Sequence, residues 1–270
     1  MKSHGTYWLT GASSGIGREL AMQLAQAGHR VYLTARNEQA LETLVAMYPQ
    51  QLVALAADVT DDSSMQQLFA RMPDVLRPTS LDGIILCAGI CEYVNLPELD
   101  MASFRRVMAV NYFGAVNACA AAMPLLMVAA ADPDRGKPEI TGVCSMTVMT
   151  GFPRAEAYGA AKAAMAYFLE SLRCDVQEQI DVCVVYPGFV ATAMTRGNDF
   201  PMPFCIDAAT AAQHILKILG KGRRSFSFPW QLFWLLRLVR CFQGLWFKML
   251  IPKLSRQSAP NAATDRGRHS

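Results

Sequence analysis

Residues 7–17 read Tyr7-Trp8-Leu9-Thr10-Gly11-Ala12-Ser13-Ser14-Gly15-Ile16-Gly17. A short apolar run enters three glycines, and a helical pattern follows through Ala27. Glycines there let the backbone turn tightly and approach a pyrophosphate. The helix N-terminus behind them supplies N–H groups and a partial positive charge. A glycine-rich turn without a ligand is the plain alternative. The strand–turn–helix context favours a dinucleotide.

Outward from this unit, strand and helix signals alternate. RVYLTA (30–35) reads as the second strand and 37–47 as a helix. LVALAAD (52–58) is strand-like, and 61–72 reads as a capped amphipathic helix. DGIILCAG (82–89) is a strand and turn, and 103–127 is helical with a break expected near Pro124. Strands are expected at 139–145, 180–188 and 224–229, and helices at 155–179 and 206–219. Seven nearly all-apolar strands joined mostly by helices predict an α/β fold. This is a Rossmann-type, doubly wound parallel sheet with helices on both faces. The expected organisation is a catalytic domain over 1–228, a hydrophobic and basic helical segment over 229–256, and a tail over 257–270.

The second strand ends in Ala35-Arg36. A carboxylate there would accept bonds from a free ribose 2′-hydroxyl. A guanidinium suits a 2′-phosphate instead, so Arg36 points to NADP(H). Asp58, closing the third strand, is either an acceptor for the adenine amino group or a helix-start residue. Tyr158 and Lys162 stand at i and i+4, on one helix face. A cation there is expected to lower the phenol pKa towards working pH, making a proton donor and acceptor for alcohol/carbonyl interconversion.

Together these residues resemble the short-chain dehydrogenase/reductase family over about residues 5–228. TGASSGIG (10–17) matches its TGxxxGxG and YGAAK (158–162) its YxxxK. Ser145 lies thirteen residues before Tyr158, the family's usual spacing, and Asn111 matches its tetrad asparagine. PGFVAT (187–192) matches its PGxVxT segment. The resemblance implies a catalytic set of Asn111, Ser145, Tyr158 and Lys162. It implies NADP(H) contacts from Gly11, Ser13, Ser14, Gly15, Ile16, Gly17, Arg36, Asp58, Val59, Ala88, Gly89, Tyr158, Lys162, Pro187, Val190 and Thr192. The family's NNAG is here Leu86-Cys87-Ala88-Gly89, which puts a structural hydrogen bond in doubt. By resemblance, Tyr158 protonates the alkoxide formed by hydride transfer, and Ser145 orients the carbonyl. Lys162 lowers the Tyr158 pKa and holds the nicotinamide ribose, and Asn111 positions a relay water.

Residues 193–205 carry Met194, Phe200, Met202, Pro203 and Phe204 and read as an apolar lid, favouring a lipophilic carbonyl or alcohol. Packing on the protein is the alternative. Small residues at 109–122 and 155–166 fit the helices that form a dimer interface in the family, so a homodimer or homotetramer is expected. Two further readings are a 3-oxoacyl thioester reductase and a non-catalytic NADP(H)-binding sensor or scaffold. A third is a structural protein of the membrane surface.

The chain has 270 residues, 52% hydrophobic and 17% charged, which excludes general disorder. The uncharged run 107–131 contains Asn111, Asn117 and Pro124 and reads as a buried helix rather than a membrane span. No secretory signal is read at the N-terminus. Eight cysteines without a CxxC pair read as reduced thiols of a cytoplasmic protein, and four scattered histidines give no metal-ligand spacing. Residues 1–207 are net −7, whereas 208–264 carry nine Lys+Arg and no acid. Nothing in this pattern points to nucleic acid. Residues 226–256 combine Phe226, Phe228, Trp230, Phe233, Trp234, Phe242, Trp246 and Phe247 with an arc of Arg237, Arg240, Gly244 and Lys248. Such a segment either lies peripherally on a membrane surface or caps the substrate cleft or a dimer seam.

Overall fold

The structure is a computed structural model that describes residues 4–70, 77–198, 200–242, 244 and 248. Its elements are β1 (Thr6–Thr10), α1 (Gly15–Gln26), β2 (Arg30–Ala35), α2 (Glu38–Met47), β3 (Leu52–Ala56) and α3 (Asp62–Gln66). β4 (Gly83–Leu86), α4 (Met101–Met108), α5 (Gly114–Ala130), β5 (Glu139–Val143) and α6 (Glu156–Val176) follow. The chain continues through β6 (Asp181–Pro187), β7 (Val190–Ala191), β8 (Ile206–Asp207), α7 (Ala208–Leu216), β9 (Ser225–Phe228) and α8 (Trp230–Cys241).

Seven strands form one parallel sheet in the order β3-β2-β1-β4-β5-β6-β9. The order reverses between β1 and β4, so the crevice beyond the strand C-termini opens at the end of β1, beside the glycines. Alternation along β1 shows why the strands are apolar throughout. Leu9 packs with Leu20, Leu24 and Ile215 of α1 and α7 on one face. Trp8 packs with Met65, Leu126 and Leu169 on the other. With period-2 side chains and helices on both faces, the central strands are buried almost throughout, while edge-strand positions such as Ala56 and Ser225 stay exposed.

Three segments differ from the sequence expectation. The helix expected over 61–72 ends at Gln66, where Gln67 is its C-cap. Leu68 and Phe69 still reach the core, from a turn. Residues 71–72 lie outside the described residues. Pro124 does not break its helix but sits inside α5. The irregularity falls earlier, in a π-helical turn at Ala109–Phe113. There Asn111 Nδ2 donates to the Val107 carbonyl at 2.9 Å. The side chain thus takes a bond to the i−4 carbonyl, which a π turn's i→i+5 pattern gives up. The helix expected from 206 begins at Ala208, because Ile206 and Asp207 pair with Val190 and Ala191. Asp207 instead caps α7, accepting from Thr210 N–H at 2.6 Å.

Residues 101–130 are apolar and long enough to cross a membrane by composition. Their inner face, including Ala118, Ala122 and Leu126, packs into the sheet core. Beyond β9, α8 covers Trp230–Cys241 with Phe242 as its C-cap. Phe226 and Phe228 belong to the sheet, where Phe228 stacks on His214 at 5.0 Å, so they are not part of the appendage. The remainder of the expected segment to 256, apart from residues 244 and 248, and the tail from 257 lie outside the described residues.

Candidate active site

β1 delivers the chain into the glycine turn, and the turn has no room for side chains. Gly11 has φ 73°, and a Cβ on it would lie 2.6 Å from the Ala88 nitrogen. A Cβ on Gly17 would lie 2.2 Å from the Gly11 carbonyl oxygen. These approaches draw the start of α1 against the end of β4. Ser14 occupies the N-cap of α1 without a side-chain cap. The first-turn N–H groups, at Gly15, Ile16 and Gly17, border a cleft of about 350 Å³.

The cleft collects every cofactor position expected from the sequence. Gly11, Ser13, Ser14, Gly15, Ile16 and Gly17 form one end, with Arg36, Asp58 and Val59 beside them. Ala88, Gly89, Tyr158, Lys162, Pro187, Val190 and Thr192 continue the wall, as does Ser145. Of the expected catalytic set, Asn111 alone does not border the cleft; it is fully buried behind Gly89. Asp58 is not a helix cap. Its Oδ1 accepts from Thr60 N–H and Oγ1–H, both at 2.9 Å, and Asp61 caps α3 instead. The turn at Leu86–Gly89, where the family's asparagines are missing, is hydrogen-bonded from β1. Thr10 Oγ1 accepts from Cys87 N–H at 3.2 Å and Ala88 N–H at 3.3 Å, fixing this turn from β1. The donors at the α1 N-terminus, the space kept by Gly11 and Gly17, and Arg36 at the end of β2 fit a phosphorylated dinucleotide.

α6 carries Tyr158 and Lys162 over the end of β5. It lies close because Gly142 leaves space: a Cβ there would meet Leu169 Cδ1 at 2.2 Å. Ser145 follows β5 and starts the 3-10 turn Met146–Met149, its Oγ accepting from Thr147 N–H at 3.2 Å. Ser145 also hydrogen-bonds the Tyr158 phenol. Lys162 is buried and donates to the Val143 carbonyl at 3.0 Å. Asn111 donates to the Ile90 carbonyl at 2.8 Å, while its Oδ1 finds no donor among the described residues. The same Gly89 Cβ would lie 2.6 Å from that Oδ1 and 3.3 Å from Lys162 Nζ. Acceptor and ammonium therefore flank one small space, which suits a proton relay through water.

The electrostatics correct one expectation. Lys162 Nζ stands 6.0 Å from the Tyr158 ring centroid, and burial outweighs any lowering of the phenol by this cation. Burial pushes the Tyr158 pKa up, with Cys91, Cys144 and Cys87 adding to it and the Ser145 hydrogen bond opposing it. Burial likewise pushes Lys162 down. Desolvation penalises the charged form of each group. Tyr158 is thus held as a protonated phenol at neutral pH.

A second cleft, of about 360 Å³, adjoins the first and shares Ser145, Tyr158, Gly188, Met194 and Thr195 with it. Its walls are mostly apolar, with Met146, Phe152, Phe189 and Phe200 among them. Leu232, Leu235, Leu236 and Val239 of α8 close one side. Gly188 allows α8 this near, since a Cβ on it would lie 2.7 Å from Leu232 Cδ2. From the expected lid, Met194, Phe200 and Pro203 line the cleft, whereas Met202 and Phe204 do not, and Phe204 is exposed. Sequence reasoning missed Tyr93, Phe152 and Arg154. Arg154 holds φ 64° and lies over the Tyr93 ring at 4.9 Å. The signal available for Phe152 and Arg154 was position alone, between Ser145 and Tyr158 in the chain.

Comparison with known proteins agrees with this geometry. A family model described as short chain dehydrogenase matches residues 6–200. An uncharacterized oxidoreductase of Myxococcus xanthus is 32% identical over 239 residues, 85% of this chain and 89% of that protein. The 11-beta-hydroxysteroid dehydrogenase A of Sesamum indicum is 31% identical over 70% of this chain and 53% of its own length. Human retinol dehydrogenase 5 is 32% identical over 72% of this chain and 59% of its own. Among solved structures, a short-chain dehydrogenase from Streptomyces avermitilis superposes with a TM-score of 0.75 at 26% identity, covering 96% of this chain and all of the other.

Proposed function

The chain belongs to the short-chain dehydrogenase/reductase family and is an oxidoreductase of that family; from that premise we infer that it is an NADP(H)-dependent enzyme reducing a lipophilic ketone or aldehyde. The observation that carries this reading is the shared wall. Ser145 and Tyr158 border both the dinucleotide-type cleft and the apolar one, so one phenol faces both reactants.

Bound in the first cleft, the reduced nicotinamide would supply the hydride. The chain's own residues do the rest. Ser145 donates to the substrate carbonyl oxygen and fixes its direction. Tyr158, kept protonated by burial, gives its proton to the developing alkoxide, a far stronger base than a phenolate. Lys162 and Asn111 lead a replacement proton towards Tyr158 from the buried side. Arg36, exposed at the rim where β2 ends, pairs with the 2′-phosphate, and no acidic side chain occupies that strand end. Apolar walls exclude water and favour a lipophilic substrate. The relatives named for hydroxysteroid and retinol substrates are compatible with that class.

We read the chain as a homo-oligomer joined through the outer faces of α5 and α6 and the π turn before α5, where Phe113, Met127, Val128 and Tyr167 are exposed. We read it as cytoplasmic, meeting its substrate at a lipid surface. An NADPH-oxidation screen over aldehydes, ketones, 3-oxoacyl thioesters and sterols, varied in chain length, tests the function. Turnover rising with the apolar size of a free carbonyl is expected. Turnover confined to thioesters, or NADPH binding without any turnover, contradicts it.

A further inference from the structure

α8 has two unlike faces. On a regular helix of 100° per residue, Leu232, Leu236 and Val239 fall within about 60°. All three are buried and line the apolar cleft, and Leu232 and Leu236 pack with Met146 and Phe189. On the opposite side Trp230, Trp234, Leu238 and Leu235 fan over about 140°. They are exposed, Trp230 at 67% and Leu238 at 60%, and Phe242 extends the ribbon at 60%. Arg237 and Arg240 are exposed along one flank of this ribbon, and Gln231 is the single polar residue within its arc. Leu235 joins the two faces, since it is exposed and also lines the cleft.

Burial in a second copy would account for the apolar ribbon alone. The charge pattern goes further. Residues 208–264 carry nine Lys+Arg and no acid, on a chain whose first 207 residues are net acidic. The acidic globule of a neighbouring copy would answer the cations but not the apolar ribbon, and a second ribbon would set cation against cation, whereas an anionic bilayer matches the aromatic side chains and their flanking cations together. Trp and Leu enter the acyl boundary while arginines meet the headgroups. We propose that the outer face of α8 docks on an anionic lipid bilayer, and that the inner face of the same helix is the wall past which a bilayer-dissolved substrate enters the apolar cleft. This rests on the lipophilic-substrate reading above. It makes lipid contact and substrate entry properties of one helix, with Leu235 at the mouth.

Flotation of the full chain with two vesicle preparations tests it: phosphatidylcholine alone, and phosphatidylcholine with phosphatidylglycerol. Binding to the anionic vesicles at low salt and its loss at high salt are expected. Arg237→Gln with Arg240→Gln should weaken binding about thirtyfold. Trp230→Ser, Trp234→Ser and Leu238→Ser together should abolish it. Both variants should keep wild-type NADPH affinity and wild-type turnover of a water-soluble carbonyl. Anionic vesicles should stimulate wild-type turnover of a long-chain carbonyl and leave the ribbon variant unstimulated. No flotation by a folded full chain overturns the proposal. So does unchanged flotation of both variants, or conversion of a dimer to monomers by the ribbon substitutions. Flotation is read without turnover, so loss of the oxidoreductase reading and loss of the docking reading give different results.

Discussion

At the scale of single residues, Arg36 and Tyr158 make opposite demands on charge. Arg36 is exposed at the cleft rim, where β2 ends. A charge-assisted bond to a 2′-phosphate is worth about 1.5–3 kcal/mol. Arg36→Ala should therefore weaken NADPH about ten- to a hundredfold and leave NADH unchanged, read by titration of both cofactors. Equal loss for both would make Arg36 structural. Tyr158 is raised by burial. A phenol whose pKa is raised stays protonated throughout the neutral range. Carbonyl reduction should then be flat from about pH 6 to 9, while alcohol oxidation, which needs the phenolate, rises with pH. A reductive rate that falls through about pH 7–8 would instead indicate a phenol lowered by Lys162. The residue types were legible because their spacing is local: Tyr158 and Lys162 share a helix face, and Gly11, Gly15 and Gly17 share a turn. The sign of the Tyr158 shift was not. It depends on how deeply the fold buries the phenol, and no spacing records that.

At the scale of elements, the strand–turn–helix unit is the most constrained part of the site. Gly17 has backbone, not a flexible side chain, in the way of a Cβ, with the Gly11 oxygen at 2.2 Å. Gly17→Ala must lift α1 from the turn and move its N–H groups. We expect a loss of about 1–3 kcal/mol in denaturant stability and at least about tenfold in NADPH affinity. Wild-type affinity in a stable variant would show that the turn is not the phosphate cradle. The helix through Asn111 teaches where pattern reading stops. Pro124 was the visible breaker, yet α5 continues through it, with only the N–H at that position lost. The real irregularity is the π turn at Ala109–Phe113, held by Asn111 on the Val107 and Ile90 carbonyls. Those bonds join residues up to 21 apart, and helix propensity contains no trace of them.

At the scale of the whole molecule, the parallel sheet divides the chain into a chemical end and a supporting end. Glu139 opens β5 at the supporting end. Its carboxylate accepts from Gly220 N–H at 2.8 Å and from the Thr141 hydroxyl at 3.3 Å. Burial still raises its pKa from 4.5 to about 7. The folded state therefore holds this proton more tightly than the unfolded one. The resulting stability is full below about 4.5 and is lost as pH rises through about 7. Glu139→Gln should be less harmful at about pH 8 than at about pH 5, by about 1–3 kcal/mol in denaturant titrations. An equal effect at both would contradict the shift. The seven-stranded doubly wound sheet was legible because its strands are apolar throughout and alternate with helices. The position of α8 was not, since composition did not say that one face would close the apolar cleft and the other would stay exposed. Tyr158 stands where the two clefts meet. The most direct test compares NADPH oxidation by the wild type and Tyr158→Phe against a lipophilic carbonyl, with NADPH affinity measured alongside. Undiminished affinity with turnover at least about a hundredfold lower is the expected result. Wild-type turnover in the phenylalanine variant would contradict it.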